Sequence, residues 1–182
     1  MSTSCKLEPM AQTVLLIDDN GRVTGEMDRT EAHTGIGTLH AAFSVYIFRD
    51  ERKEFLMQKR GNGKLWAGIW ANTCCSHLRR GETPREAGER RLQEEMGFTC
   101  PLREEGSFVY RAEDPEGRGV EHERITLLTG DIQKRIIPTP DPAEIAEWEW
   151  ISVADLSADI LKHPGLYTPW FRIGLRRIIG QG

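Results

Sequence analysis

Apolar and polar positions along this chain fall into runs that separate strands from helices. Val14-Leu15-Leu16-Ile17 is a short apolar run, and Asp18-Asp19-Asn20-Gly21 ends it with a turn of the hairpin type. Residues 39–48 are almost continuously apolar and predict a long, largely buried strand. Glu54 to Arg60 reads as its partner across a charged turn, and Gly61-Asn62-Gly63-Lys64 then breaks the pattern. Residues 107–111 and 120–129 give two strands around the turn Asp114-Pro115-Glu116-Gly117, and Trp148-Glu149-Trp150-Ile151 gives a further one.

Helices are announced by their ends. Thr83 is an N-cap followed by Pro84 at the first helical position, Glu86 completes a capping box, and Gly97 sits where helices stop. Ser152 caps a shorter helix, and residues 169–179 form a terminal amphipathic one. Pro138-Thr139-Pro140-Asp141-Pro142 reads as a rigid loop rather than a linker, because too little chain follows it for a second core. The pattern predicts one mixed α+β domain over residues 13–182, behind a disordered lead at residues 1–12.

Composition narrows the function classes. Hydrophobic residues at 38% and charged residues at 29% suit a globular protein, and 182 residues can bury one substantial core. A net charge of −4 with scattered basic residues gives no field for nucleic acid. No apolar run reaches the roughly 20 residues of a membrane helix, and the first ten residues carry no secretory h-region. The four cysteines show no zinc-knuckle spacing; Cys5 and Cys100 read as ordinary reduced thiols of a cytoplasmic protein, whereas Cys74 and Cys75 are kept as candidates for chemistry.

The chemistry gathers around Ala71-Asn72-Thr73-Cys74-Cys75-Ser76-His77. In an extended segment Cys75 and His77 project from one face, so a thiol and an imidazole share a pocket. Glu121 and Glu123 likewise share a strand face, with His122 on the other. Two adjacent buried carboxylates repel each other unless a cation or a proton lies between them. With His33, His40 and His77 they suit magnesium, manganese or zinc. Arg29, Lys59, Arg60, Lys64 and Arg91 lie on different elements and could converge on a diphosphate. Trp66, Trp70 and Trp170 either wall an apolar pocket or fill core, with core the better reading for Trp70.

These residues resemble a known family. Glu31-Ala32-His33-Thr34, Leu39-His40-Ala41-Ala42-Phe43-Ser44, the segment Trp66 to His77, Gly81-Glu82, Arg90-Arg91, Tyr110-Arg111-Ala112 and Glu121-His122-Glu123 are similar to type I isopentenyl-diphosphate isomerases, over about residues 13–172. The resemblance implies a Nudix-type α/β/α sandwich with a mixed sheet. A hydrolytic Nudix box is matched by Glu82, Arg90, Glu94, Glu95 and Gly97, but Ser76 stands for its first glycine and Arg91 for a metal-binding glutamate. That exchange favours isomerase over the alternative, a Nudix diphosphohydrolase acting on nucleoside diphosphate derivatives. A redox-sensing module built on Cys74-Cys75 is a third reading.

Carried over, the resemblance implies interconversion of isopentenyl and dimethylallyl diphosphate in isoprenoid biosynthesis. It makes His33, His40, His77, Glu121 and Glu123 ligands of one divalent ion, manganese or zinc. Glu95 would contact magnesium on the diphosphate. Cys75 and Glu123 become the acid–base pair with Tyr110 beside Glu123, and Trp170 closes over the hydrocarbon. Arg29, Lys59 and Arg91 would hold the diphosphate, with Lys64 substituting for the lysine that the family carries where Gly63 stands. The partner expected is a small-molecule diphosphate, without nucleic acid or membrane; monomer and dimer both stay open.

Overall fold

A computed structural model describes residues 13–180; the lead expected at residues 1–12 lies outside the described residues. The chain runs β1 (Thr13–Ile17), β2 (Val23–Asp28), α1 (Arg29–Ala32), β3 (His40–Arg49), β4 (Glu54–Arg60), β5 (Trp70–Ala71), β6 (Cys74–His77) and α2 (Pro84–Met96). It continues through β7 (Arg103–Glu113), β8 (Val120–Asp131), β9 (Ile145–Ser152), α3 (Val153–Lys162), a 3-10 turn at Pro164–Leu166, and α4 (Pro169–Ile179).

β3 is the centre of a nine-stranded mixed sheet, pairing parallel with β8 and antiparallel with β4 and β6. Its apolar run faces two ways. Phe43, Val45 and Ile47 pack with Ala87, Leu92 and Met96 of α2. Tyr46 and Phe48 pack with Leu156 of α3 and Phe171, Leu175 and Ile178 of α4. A strand covered on both faces needs no polar alternation, which explains the continuous hydrophobic stretch. The result is the expected α/β/α sandwich in one domain.

Local signals hold at most boundaries. Thr83 Oγ1 accepts from the Glu86 N–H at 3.3 Å, and Glu86 Oε2 accepts from the Thr83 N–H at 2.9 Å. Gly97 ends α2 at φ 73°, a left-handed turn that glycine adopts without strain. The outer strands run longer than their apolar cores, because backbone pairing with β8 and β4 extends them. β2 escapes the hydrophobic pattern: it is an edge strand, mostly exposed, held through β1 alone. Trp70 is a correction. It is half-buried at the end of the sheet, whereas Trp66 and Trp170 are 4% and 1% exposed.

One loop matters for the site. Between β4 and β5, Trp66 takes φ 55°, a conformation costly for a bulky residue. The buried Asp114 carboxylate holds it there, accepting from the Trp66 N–H at 2.6 Å and from Arg118 at 3.0 and 3.1 Å. Asp114→Ala leaves both donors unanswered, and we expect a loss of about 3 kcal/mol in urea unfolding. A loss below about 1 kcal/mol would show that the loop holds itself.

Candidate active site

Strand register brings the polar residues together. His40 on β3 lies beside Glu123 on β8, and Tyr110 on β7 pairs with Glu123 from its other side. Across β3, His77 on β6 stands opposite Ala42 and Cys75 opposite Ser44. His33 comes from the end of α1, whose N-cap Asp28 accepts from the Thr30 and Glu31 N–H groups.

Donor atoms of His33, His40, His77 and Glu123 all lie within 4.8 Å of one another. His77 Nε2, His40 Nε2 and His33 Nε2 stand 3.0, 3.3 and 3.9 Å from Glu123 Oε1, and the Nε2 atoms of His40 and His77 are 3.1 Å apart. The tautomers of two rings follow from their outer contacts. His33 Nδ1 lies 2.6 Å from the Arg29 carbonyl, and His40 Nδ1 lies 2.7 Å from that of Thr38. A carbonyl only accepts, so each Nδ1 carries a proton, which leaves each Nε2 able to offer a lone pair to a cation. Burial drives the His77 imidazole down to about 4, so that ring is neutral at pH 7. Burial opposes protonation of His33 too, but its hydrogen bond to Glu123 raises that imidazole. Three imidazoles and a carboxylate aimed at one point form a donor set that suits a divalent cation.

Two expected ligands fall outside this cluster. Glu121 accepts a hydrogen bond from the Tyr110 hydroxyl, which also lies 3.2 Å from Glu123 Oε2. Burial, with the Glu123 charge beside it, pushes Glu121 up to about 7. Glu95, 3% exposed, is ion-paired to Arg91 on its own helix. Burial opposes ionisation of Glu123 too, but its hydrogen bonds with the three imidazoles hold the carboxyl well below the usual range.

The central cysteines part company. Cys74 is fully buried on the α2 side, while Cys75 packs against the other core beside Trp66, Tyr110 and Trp170. Burial pushes the Cys75 thiol up to about 12 against the opposing pull of Arg60, so sulfur keeps its proton at neutral pH. Trp170 is 1% exposed. Its indole N–H donates to Asn72 Oδ1 at 3.0 Å, and its ring meets Trp66 edge-on at 5.2 Å and Tyr110 at 6.0 Å.

Of the expected diphosphate contacts, Arg29 and Arg91 line one cleft of about 600 Å³ with Ser76, His77 and Glu144. Lys64 reaches its edge by bridging Glu144 at 2.5 Å, and Arg91 meets the same carboxylate at 3.4 Å. Gly63 sits at φ 79°, which favours glycine over the lysine of the family pattern. Lys59 is turned to Glu147 at 2.9 Å and does not line this cleft. A larger groove of about 740 Å³ lies between α3 and α4 and contains none of the candidate residues.

Arg60, Trp66 and Asn72 stand out as site residues that motif reading underweights. Arg60 Nη1 donates to Cys75 Sγ at 3.2 Å instead of joining the diphosphate cluster. No strand pattern announces this contact, since the β4–β9 register shifts between Lys59 and Arg60.

Residues 38–171 match the NUDIX domain, so the sandwich and its site belong to a NUDIX-domain protein. Solved structures agree on the fold: a MutT protein from Methanosarcina mazei matches with a TM-score of 0.63 at 17% identity, covering 79% of this chain and 94% of the other. A MutT NUDIX hydrolase from Burkholderia pseudomallei matches at 0.61 and 20% identity, covering 78% and 98%. Sequence relatives are more specific. An isopentenyl-diphosphate Delta-isomerase of Halorhodospira halophila is 42% identical over 160 residues, covering 87% of this chain and 90% of the relative. One from Nocardia farcinica is 40% identical over 157 residues, covering 86% and 89%. The chain belongs to the isopentenyl-diphosphate Delta-isomerase family.

Metal titration checks the cluster directly. We expect one manganese or zinc ion per chain by calorimetry, and His40→Ala to weaken it by at least about tenfold. His122→Ala, on the opposite strand face, should leave binding unchanged; equal losses from both would contradict the four-residue site.

Proposed function

We propose that the protein interconverts isopentenyl diphosphate and dimethylallyl diphosphate by proton addition and removal. The observation that supports this reading is Cys75 packed with Trp66, Tyr110 and Trp170, with the Tyr110 hydroxyl in turn 3.2 Å from Glu123. Membership of the isomerase family supports it.

Moving a double bond by one carbon requires a proton at one end of the alkene and loss of another from the neighbouring carbon. Cys75 is the proton donor to the terminal carbon in our reading, and Glu123 with Tyr110 receives the departing proton. His33, His40, His77 and Glu123 would hold a manganese or zinc ion, whose charge fixes Glu123 and tunes its acidity when bound. Glu121, linked through Tyr110, is the residue we assign to relaying the accepted proton. Trp66 and Trp170 keep water from the cationic intermediate and offer it π-electron density. Arg29, Lys64 and Arg91 bind the diphosphate, Lys59 being a weaker candidate after its pairing with Glu147. Glu95 would contact magnesium carried by that diphosphate.

Diphosphate hydrolysis is the less favoured activity. Arg91 occupies the helix position where the hydrolytic pattern has a glutamate, and it is engaged with Glu94 at 2.8 Å and with Glu95. The redox module is disfavoured as well, since Cys74 and Cys75 belong to different cores.

Proton NMR of isopentenyl diphosphate with the enzyme in deuterated water tests the proposal. We expect dimethylallyl diphosphate carrying deuterium in a methyl group, with turnover abolished by chelator and restored by metal. Cys75→Ala or Glu123→Gln should reduce turnover by about 10³-fold with the fold intact. Near-normal turnover in either variant would remove that residue from the mechanism, and release of inorganic phosphate without isomerisation would replace the reading altogether.

A further inference from the structure

Helix α4 is two-faced, and only one of its faces is covered. Phe171, Gly174, Leu175 and Ile178 are buried at the spacing of one helical face, with Trp170 beside them in the wall of the site. The other face carries Arg172, Ile173, Arg176 and Ile179, which with Ile160 and Leu161 of α3 line the groove of about 740 Å³. Leu161 is 84% exposed, and Ile173 and Ile179 are exposed as well. Single apolar residues on a surface need no explanation, but these share one concavity.

The charges around that concavity are one-sided. No acidic residue lines the groove, and α4 contains none. The acids of α3 are engaged elsewhere, Asp155 with Ser152 and Asp159 with His163 and Tyr167. Among the described residues no carboxylate lies within 4.0 Å of Arg172 or Arg176, whereas Arg90 and Arg91 on α2 both have close ones. The Arg172 Nε is buried and has no acceptor among the described residues. A buried guanidinium N–H without an acceptor is costly, and an oxyanion at the groove offsets that cost. The chain as a whole carries −4, so this excess of positive charge is local to the apolar groove.

We propose that the α3–α4 groove binds a single-chain alkyl phosphate, its chain along Ile160, Leu161, Ile173 and Ile179 and its phosphate on Arg172 and Arg176. The two arginines stand one helical turn apart. A phosphate monoester brings them nearly two negative charges and three acceptor oxygens, where a carboxylate brings one charge. Ile173 and Ile179 are separated by about 9 Å along the helix axis, the length of a chain of about eight carbons. A flat bilayer would leave the concavity unfilled, and a second copy packed face to face would bring arginines of both chains into one interface. The site is separate from the catalytic cleft and independent of the isomerase reading, since α4 presents Trp170 to one and Arg172 to the other.

Calorimetry of the full chain with octyl phosphate tests the site, with inorganic diphosphate present to occupy the Arg29–Arg91 cleft. We expect one equivalent to bind with a Kd below about 1 mM, and ethyl phosphate and octanol to bind at least about tenfold more weakly. Arg172→Gln combined with Arg176→Gln should weaken octyl phosphate at least about tenfold while leaving the thermal unfolding midpoint unchanged. Octyl phosphate should also shift the amide NMR signals of α3 and α4. Unchanged affinity in the double variant, or octanol binding as tightly as octyl phosphate, would overturn the proposal. Shifts confined to the surroundings of His77 and Arg91 would place the ligand in the catalytic cleft and overturn it equally. Without octyl phosphate binding, capture on phosphatidylglycerol vesicles would make the groove a membrane face. A dimer broken by Leu161→Asp would instead make it an interface between copies, and either result would replace the alkyl phosphate.

Discussion

The parallel pairing of β3 with β8 is the constraint on which the rest depends. It places His40 beside Glu123 at one end, and along the remaining register it sets Phe43 to Phe48 between the two helical layers. Side chains alternate with period two, so a slip of one residue would exchange the contents of the cores and turn His40 away from the carboxylate. Folding and site assembly are therefore one event. β6 and β7, hydrogen-bonded on either side, deliver His77 with Cys75 and Tyr110 by the same registration.

The polar cluster sits at the strand end. Carbonyls of Arg29 and Thr38 fix the outer nitrogens of His33 and His40, which orients both rings with Nε2 toward Glu123. Cys75 lies two residues from His77 in the same strand but faces Trp170 and Arg60. One short segment thus contributes to both the histidine–glutamate cluster and the apolar packing around Trp170. Asp114, remote in sequence, supports the second of these by holding Trp66 in its left-handed conformation.

Much of this was legible from residues alone. The capping box at Thr83–Glu86 and the breaking glycine at Gly97 delimit α2, and the apolar run of β3 marks the central strand. Cys75, His77, Glu121 and Glu123 were paired correctly by strand alternation. What alternation cannot supply is distance between elements: the structure adds that Glu121 takes the Tyr110 hydroxyl while Glu123 faces the three imidazoles. Glu95, singled out only by the family resemblance, is ion-paired to Arg91. Lys59 and Arg60, both grouped with the diphosphate candidates, contact Glu147 and Cys75. Trp170 is bonded to Asn72, a contact that no sequence pattern announces.

The central claim is that His33, His40 and His77 with Glu123 form a nitrogen- and oxygen-lined metal site from which the Cys75 thiol is excluded. X-ray absorption spectroscopy of the protein loaded with one equivalent of zinc tests it most directly. The account predicts scattering from three imidazoles with carboxylate oxygen and no sulfur neighbour. A sulfur neighbour, or fewer than three imidazoles, would contradict it.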